Sequence, residues 1–134
     1  MQNDVILNKV QIIERCIRRI REEYDDNPNN LNNFTKQDSI ILNIQRACEA
    51  SIDLAMYIIS EEDLGIPQSS GEAFELLCQH NIIDKSLARR LKAMVGFRNI
   101  AVHDYQKLNI KVVEKIIEEH LSDYKEYAKK ILTL

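Results

Sequence analysis

The sequence predicts an all-α fold, an antiparallel bundle of four long helices plus one short helix, formed as one domain by residues 1–134. Two observations favour this class. Glycine and proline are scarce, with 3 and 2 residues, so the chain has few of the turn residues that a β-rich fold needs. Hydrophobic residues make up 45% of the chain and recur every three or four positions, which is the helical period. No strand is needed to account for the pattern.

The first half of the chain contains two of the long helices. The first has an apolar seam of almost heptad regularity, formed by Ile6, Val10, Ile13, Ile17, Ile20 and Tyr24. Residues 25–34, rich in Asp and Asn, form a polar loop. The second helix begins near Thr35, because Thr35 and Asp38 have capping-box-like spacing. Its core stripe comprises Ile41, Ile44, Cys48, Ile52, Ala55 and Ile59.

The second half contains the short helix and the other two long ones. Gly65 and Pro67 end the second helix, and Ser69 to Glu72 form a capping box for the short helix. Asp84 caps the next helix, which faces inward with Leu87, Leu91, Met94 and Val95. The last helix begins near Asn109 and has an apolar side formed by Ile110, Val113, Ile117, Leu121, Tyr124, Ala128 and Ile131.

Charge is uneven along the chain. The formal net charge is −3, so the molecule as a whole does not attract nucleic acid, and the absence of tryptophan disfavours a base-stacking platform. Residues 9–21, however, carry five basic side chains against one acidic side chain. Among them, Arg15, Arg18 and Arg19 lie off the apolar seam. They form either a solvated face or a rim that faces RNA or a partner.

A polar row follows the second helix beside its core stripe. Gln45, Glu49 and Asp53 are each four residues apart and therefore share one face. Two interpretations remain open: the row is solvated, or it is half-buried and holds groups on a neighbouring helix.

Cysteine usage and hydropathy predict a cytoplasmic protein without membrane contact. Cys16, Cys48 and Cys78 are odd in number and lie in apolar helical patterns, as expected for buried, reduced thiols. No signal peptide opens the chain, and no apolar run approaches the ~20 residues of a membrane span.

The segment from Arg98 to Tyr105 carries the chemistry. Arginine presents a fork of donors that matches phosphate oxygens, and histidine is the usual general acid or base. Asn99 follows the arginine directly, and Tyr105 follows His103 after one residue. RNA supplies its own nucleophile, the 2′-hydroxyl, next to every phosphate. Residues 85–103 contain five basic and no acidic side chains, namely Lys85, Arg89, Arg90, Lys92 and Arg98.

Helix geometry limits how these side chains meet. In a regular helix Arg98 and His103 point about 140° apart, whereas Asn99 and His103 share a face and Arg98 and Tyr105 are nearly aligned. Either the helix ends or kinks between Arg98 and His103, or two chains form the site. A symmetric homodimer brings two arginines and two histidines to one phosphate, and so supplies both an acid and a base.

A metal or cofactor is not expected. His80, His103 and His120 are isolated, without paired ligands at zinc spacing, and no glycine-rich phosphate loop is present. His80 is expected at a helix end and His120 on a solvated face of the last helix. Three tyrosines, Tyr24, Tyr124 and Tyr127, follow apolar stripes and are expected to pack in the core, while the role of Tyr57 stays open.

The Arg98-x4-His103-x-Tyr105 segment, with Asn99 after the arginine, resembles the signature of the HEPN superfamily and, within it, the HepT toxins of HepT–MntA toxin–antitoxin pairs. The resemblance extends to residues 45–50 with Asp53, to 64–70 and to 94–105. It implies a metal-independent endoribonuclease that acts as a homodimer and leaves a 2′,3′-cyclic phosphate and a 5′-hydroxyl. Arg98 then stabilises the phosphate, His103 transfers the proton and Asn99 supports them.

The resemblance also implies a regulator, a minimal nucleotidyltransferase antitoxin similar to MntA that transfers AMP from ATP to Tyr105. A phosphate added there is expected beside Arg98, where it competes for the same guanidinium. Two alternatives remain open. One is a non-catalytic module that binds nucleotide or recruits substrate for the nucleotidyltransferase, and the other is a helical dimer whose motif is structural.

Overall fold

The described part of the chain, residues 3–134 of a computed structural model, is helical and contains no strand. The helices are α1 (Asp4–Tyr24), α2 (Phe34–Glu61), α3 (Ser70–Gln79), α4 (Lys85–His103), α5 (Ile110–Lys115) and α6 (Leu121–Leu132). A π-helical turn over Ile116–His120 joins α5 and α6 into one continuous rod. This confirms the predicted bundle of four long helices and one short helix. No helix in residues 3–134 is long and apolar enough to cross a membrane.

Most of the predicted helix starts are confirmed. The Ser69 side chain accepts a hydrogen bond from the Glu72 amide at 3.1 Å, and Asp84 accepts from the Leu87 amide at 2.8 Å. Asn109 caps α5 by accepting from the Lys111 amide at 2.9 Å.

Helix α2 begins at Phe34, next to the predicted Thr35, but its predicted cap is wrong. Asn33 is the N-cap, and its side chain accepts from the Lys36 amide at 3.1 Å. A 3₁₀ turn over Pro28–Asn32, inside the predicted loop, leads directly into Asn33 and leaves it in an extended conformation suited to capping. Thr35 therefore lies inside the first turn of α2, and Asp38 is free to contact a distant residue.

The predicted apolar stripes converge on one hydrophobic core. All the stripe residues of α1, α2 and α4 are buried, whereas Ile110 of the last helix is only partly buried at the edge of the core. Tyr24, Tyr124 and Tyr127 are buried as predicted. Tyr127 donates a hydrogen bond to the Ser51 carbonyl at 2.9 Å and packs edge-on against Phe74, with ring centroids 5.7 Å apart. Truncation of such a buried aromatic residue costs roughly 3–5 kcal/mol.

The π-helical turn creates a buried polar cluster that the sequence pattern did not reveal. Asp123 is only 2% exposed, and its carboxylate contacts Arg90 of α4 and, at 3.0 Å, Nδ1 of His120. His120 is therefore half-buried, with its side chain 32% exposed, and does not lie on a fully solvated face. A π turn inserts one extra residue into the helix and rotates the residues beyond it, which turns Asp123 inward. Arg90, whose role the sequence left open, also contacts Glu126 at 3.3 Å and ties α4 to α6.

Candidate active site

Arg98 lies on the inward side of α4, where α2 and the start of α3 meet it. Its Nη2 is 3.4 Å from Oγ of Ser70, and its Nε is buried without a hydrogen-bond partner in residues 3–134. The side chain lines a cavity of about 390 Å³ together with Glu49, Ile52 and Asp53. Because the terminal nitrogens make only this long hydrogen bond to Ser70 within the described part of the chain, the guanidinium retains donors for an anion such as a phosphate.

The polar row of α2 divides between the two interpretations. Gln45 and Glu49 are half-buried, whereas Asp53 is exposed and pairs with Lys9 of α1 at 3.1 Å. Glu49 and Asp53 both line the cavity of Arg98. Glu49 and Asp53 therefore lie beside the guanidinium of Arg98, and Asp53 also ties α2 to α1 through Lys9.

A buried thiol lies behind Arg98. Burial raises the pKa of the Cys48 thiol to about 12, and the positive charge of Arg98 lowers it in part. The thiol therefore stays protonated at neutral pH and is a poor nucleophile. Cys16 and Cys48 are buried as predicted, while Cys78 is only half-buried.

His103 lies on the outward side of α4, as its last residue. It is exposed, and in residues 3–134 its ring has no hydrogen-bond partner. Asn99, one turn earlier on the same face, is also exposed. Two large apolar side chains are exposed beside them, Ile100 at 43% and Val102 at 44%. A β-carbon added to Gly96, which lies two turns before His103, meets nothing within 4 Å.

The structure does not bring Arg98 and His103 together within one chain. Helix α4 continues without a break to His103, so the two side chains keep their helical separation of about 140°. Of the two predicted arrangements, an end or a kink between them is wrong for the single chain. Assembly from two chains is the arrangement that remains.

Tyr105 lies beyond the end of α4, in a 3₁₀ turn over Tyr105–Lys107. It is 41% exposed, and its hydroxyl donates a hydrogen bond to the carboxylate of Asp38, near the start of α2. Burial is the main cause that raises the pKa of Tyr105. The hydrogen bond to Asp38 and the charge of its carboxylate raise this pKa further, to about 12. The phenol is therefore neutral at physiological pH and has a carboxylate ready to accept its proton.

The expected alignment of Tyr105 with Arg98 is wrong. Because α4 ends at His103, the chain turns away before Tyr105. Asp38, which holds the tyrosine, lies 11 residues before Glu49 on α2, and at ~1.5 Å per residue this is about 16 Å along the helix. A phosphate on the Tyr105 oxygen therefore does not contact Arg98 of the same chain.

The other polar candidates have structural surroundings. His80 ends α3, as predicted, and Asn81 after it has a positive φ of 62°. Tyr57, left open by the sequence, is half-buried, and its hydroxyl accepts a hydrogen bond from the Asn3 side chain at 2.8 Å. In residues 3–134, no three His, Cys, Asp or Glu side chains form a group that could hold a metal ion.

The all-helical bundle carries Arg-x4-His-x-Tyr along and just beyond α4. This combination is typical of the HEPN class of helical proteins. Within this class, the chain belongs to the Ribonuclease HepT-like family, whose model matches residues 13–131.

Known relatives agree with this assignment. The chain is 51% identical to the mRNA nuclease HepT of Shewanella oneidensis over 93% of this chain and 94% of that protein. It is 26% identical to the tRNA nuclease HepT of Aphanizomenon flos-aquae, over 95% of this chain and 87% of that protein. The solved structure of a tri-AMPylated HEPN toxin from Shewanella oneidensis, in complex with its MNT antitoxin, superposes with a TM-score of 0.95. It shares 49% identity over 99% of this chain and 100% of that chain.

Proposed function

We propose that this chain, acting as one unit over residues 1–134, is the ribonuclease toxin of a cytoplasmic toxin–antitoxin pair, silenced when AMP is transferred to Tyr105. One observation carries the proposal: His103, on the outward side of α4, and Tyr105, just beyond its end, are both exposed in a chain that retains the Arg98-x4-His103-x-Tyr105 motif. The support from relatives is the 51% identity to an mRNA nuclease over nearly the full length.

The proposed reaction is an internal phosphoryl transfer within RNA. The 2′-oxygen attacks the adjacent phosphorus, the bond from phosphorus to the 5′-oxygen breaks, and a 2′,3′-cyclic phosphate and a 5′-hydroxyl result. One His103 accepts the proton of the 2′-hydroxyl, and His103 of a second copy donates a proton to the leaving 5′-oxygen. Arg98 stabilises the charge that develops on the phosphate oxygens, while Asn99 orients the imidazole from the preceding turn. The step requires no metal ion.

A homodimer supplies the second histidine, and the outward face of α4 has the features of an interface. Gly96, Ile100 and His103 lie along one side of the helix at spacings of four and three residues. The glycine leaves room for close approach of another helix, and Ile100 offers apolar area that water covers in the isolated chain. Two copies related by a two-fold axis bury the same face on both sides.

The proposed silencing reaction takes place at the Tyr105 hydroxyl. In a reaction catalysed by a minimal nucleotidyltransferase antitoxin, the phenolic oxygen attacks the α-phosphorus of ATP and pyrophosphate leaves. Asp38 already accepts the hydrogen bond of this hydroxyl and is placed to take its proton. The product carries a negative phosphodiester and an adenosine two residues beyond His103 in the chain, which obstructs the approach of RNA.

A second function has a specific observation in its favour. Arg98 already contacts Ser70 and faces Glu49 and Asp53 of its own chain, as an arginine with a structural role does. In that case the chain is a non-catalytic partner that presents Tyr105 or nucleotide to the transferase.

Growth on induction separates the two functions. We expect the wild type to arrest growth and His103→Ala and Arg98→Ala to permit it, with His80→Ala, an exposed histidine at the end of α3, as the toxic control. Equal toxicity of all four proteins would contradict the nuclease function. Cleavage of RNA in the presence of EDTA tests metal independence, and lost activity would contradict it.

Intact mass tests the silencing reaction. After incubation with the antitoxin and ATP, the wild type should gain one or more AMP units, and Tyr105→Phe should gain none. A gain that survives in Tyr105→Phe would move the modification to another residue.

A further inference from the structure

A groove of about 690 Å³ runs between α1 and α2 and has a basic lining. Three of its arginines, Arg15, Arg18 and Arg19, share one face of α1, and Arg46 faces them from α2. The partly exposed Leu42 and the half-buried Ile12 form an apolar part of its floor. The sequence left open whether the α1 arginines are a solvated face. The structure makes them one wall of a groove.

The positive charges in this groove are only partly balanced, because four arginines line it against two carboxylates, Glu22 and Asp38. Arg19 pairs only loosely with Glu22 and Glu23, at 3.6 and 3.7 Å. Within the described part of the chain, Arg15, Arg18 and Arg46 have no ion pair. Burial raises the pKa of Cys16, and Arg46 and Arg15 both lower it, so their charges reach the same sulfur from two helices. An excess of like charges in one groove attracts an anion.

The groove begins at the residue that holds Tyr105. Asp38 lines one end of it and accepts the hydrogen bond of the Tyr105 hydroxyl. Once a phosphodiester replaces the proton of that hydroxyl, the carboxylate repels it, and the arginines farther along attract it. Arg46 lies eight residues beyond Asp38 on α2, which is about 12 Å along the helix. A strand that rises ~3.4 Å per nucleotide places about three nucleotides over this length.

We propose that the groove between α1 and α2 binds the phosphates of a short ribonucleotide chain attached to Tyr105. The proposal rests on the proposed function, since it requires that Tyr105 receives AMP. The proposal assigns a role to the four arginines of the groove, which the cleavage reaction does not use. These arginines, and not Arg98, then bind the added phosphates. The backbone of a substrate RNA carries the same chemistry, and the experiment separates the two sources.

The test compares the wild type with the triple variant Arg15→Gln/Arg18→Gln/Arg46→Gln. Arg21→Gln, which removes an exposed arginine in the last turn of α1 outside the groove, is the matched control. Each protein is modified with the antitoxin and ATP, checked by intact mass, and then digested with a 3′-exonucleolytic phosphodiesterase. Because charge-assisted contacts protect the attached chain, the triple variant should lose AMP units at least about tenfold faster than the wild type and the control. Modification should also raise the melting temperature of the wild type and not that of the triple variant.

The remaining outcomes separate failure of the groove assignment from failure of the proposed function. Equal rates of digestion, or a triple variant that gains no AMP while the wild type does, would overturn the groove assignment and leave the proposed function intact. A wild type that gains no AMP would overturn both. Cleavage of RNA by the unmodified proteins identifies the other source: lost cleavage in the triple variant together with equal digestion assigns the groove to substrate RNA instead. Lost cleavage together with faster digestion shows that the attached chain occupies the path of the substrate.

Discussion

The two sides of α4 differ in how far the chain itself determines them. On the inward side, Arg98 contacts Ser70 and shares a cavity with Glu49, so α2 and α3 set its position. On the outward side, His103 is exposed, and a β-carbon on Gly96 meets open space. Arg98 is thus positioned within one chain, whereas His103, the proposed proton carrier, lies on a face that a second molecule completes in the proposed dimer. The proposed function needs both sides at one phosphate.

Removal of the proton carrier should have the largest effect. His103→Ala should reduce the rate of RNA cleavage by about 10²–10⁴-fold, since a positioned acid or base contributes this much. Because His103 is exposed, the melting temperature of the variant should stay near that of the wild type. Cleavage kinetics and thermal unfolding measure the two quantities, with His80→Ala as the control. A large loss of stability with unchanged cleavage would assign His103 to the fold.

Replacement of the Arg98 guanidinium should have the next largest effect. Arg98→Lys keeps the charge and loses the fork of donors, so cleavage should fall by about 10²–10³-fold. The hydrogen bond to Ser70 is long, at 3.4 Å, so its loss should cost no more than about 1 kcal/mol of unfolding free energy. If Arg98→Lys and Ser70→Ala lower stability alike and neither changes cleavage, the inward side is structural.

A bulky residue on the outward side tests whether that face is covered. Gly96→Leu has room in the single chain and replaces a helical glycine, so the isolated fold should be preserved or slightly stabilised. At a close interface the same side chain collides with its partner. We therefore expect sedimentation to show a monomer and cleavage to fall by about 10²-fold through misplacement of the histidines. An active dimer of Gly96→Leu would place the interface elsewhere. Ser86→Leu, on the exposed first turn of α4, is the matched control.

The contact of Tyr105 with Asp38 predicts the smallest effect and a pH dependence. The pKa of Tyr105 is raised to about 12, above its ordinary value of 10, so its contribution to stability is complete below pH 10 and is lost as pH rises to about 12. Since the side chain is 41% exposed, solvent screening limits this contribution to no more than about 1 kcal/mol. Asp38→Asn should lower the pKa of Tyr105 in an absorbance titration of the phenol. An unchanged titration would show that burial alone raises it.

The sequence was enough to predict the features that depend on residues close together in the chain. The apolar stripes, the caps at Ser69 and Asp84 and the start of the last helix near Asn109 follow from periodicity and short-range hydrogen bonding, and the structure confirms them. The Arg98 to Tyr105 segment was visible because its residue types are adjacent in the chain.

Long-range contacts could not be predicted in the same way. Asp38 and Tyr105 are 67 residues apart, and no local pattern pairs them. The same holds for Arg90 and Asp123, whose contact depends on the π-helical turn. Asp38 illustrates the cause: its spacing from Thr35 suggested a cap, but Asn33 caps α2 and leaves the carboxylate to Tyr105. The groove between α1 and α2 likewise required the packing of two helices to become visible.

Mixing the wild type with an inactive variant tests most directly whether two chains form one site. Equal amounts of wild type and His103→Ala, unfolded and refolded together, form wild-type, mixed and variant dimers in a ratio of about 1:2:1. If the histidines of both chains act on one phosphate, a mixed dimer lacks either the acid or the base, and the mixture should keep only about a quarter of the cleavage rate of the same total amount of wild type. If the mixture keeps about half of that rate, although sedimentation and mass analysis show that mixed dimers formed, each chain acts with its own histidine and assembly of the site from two chains is contradicted.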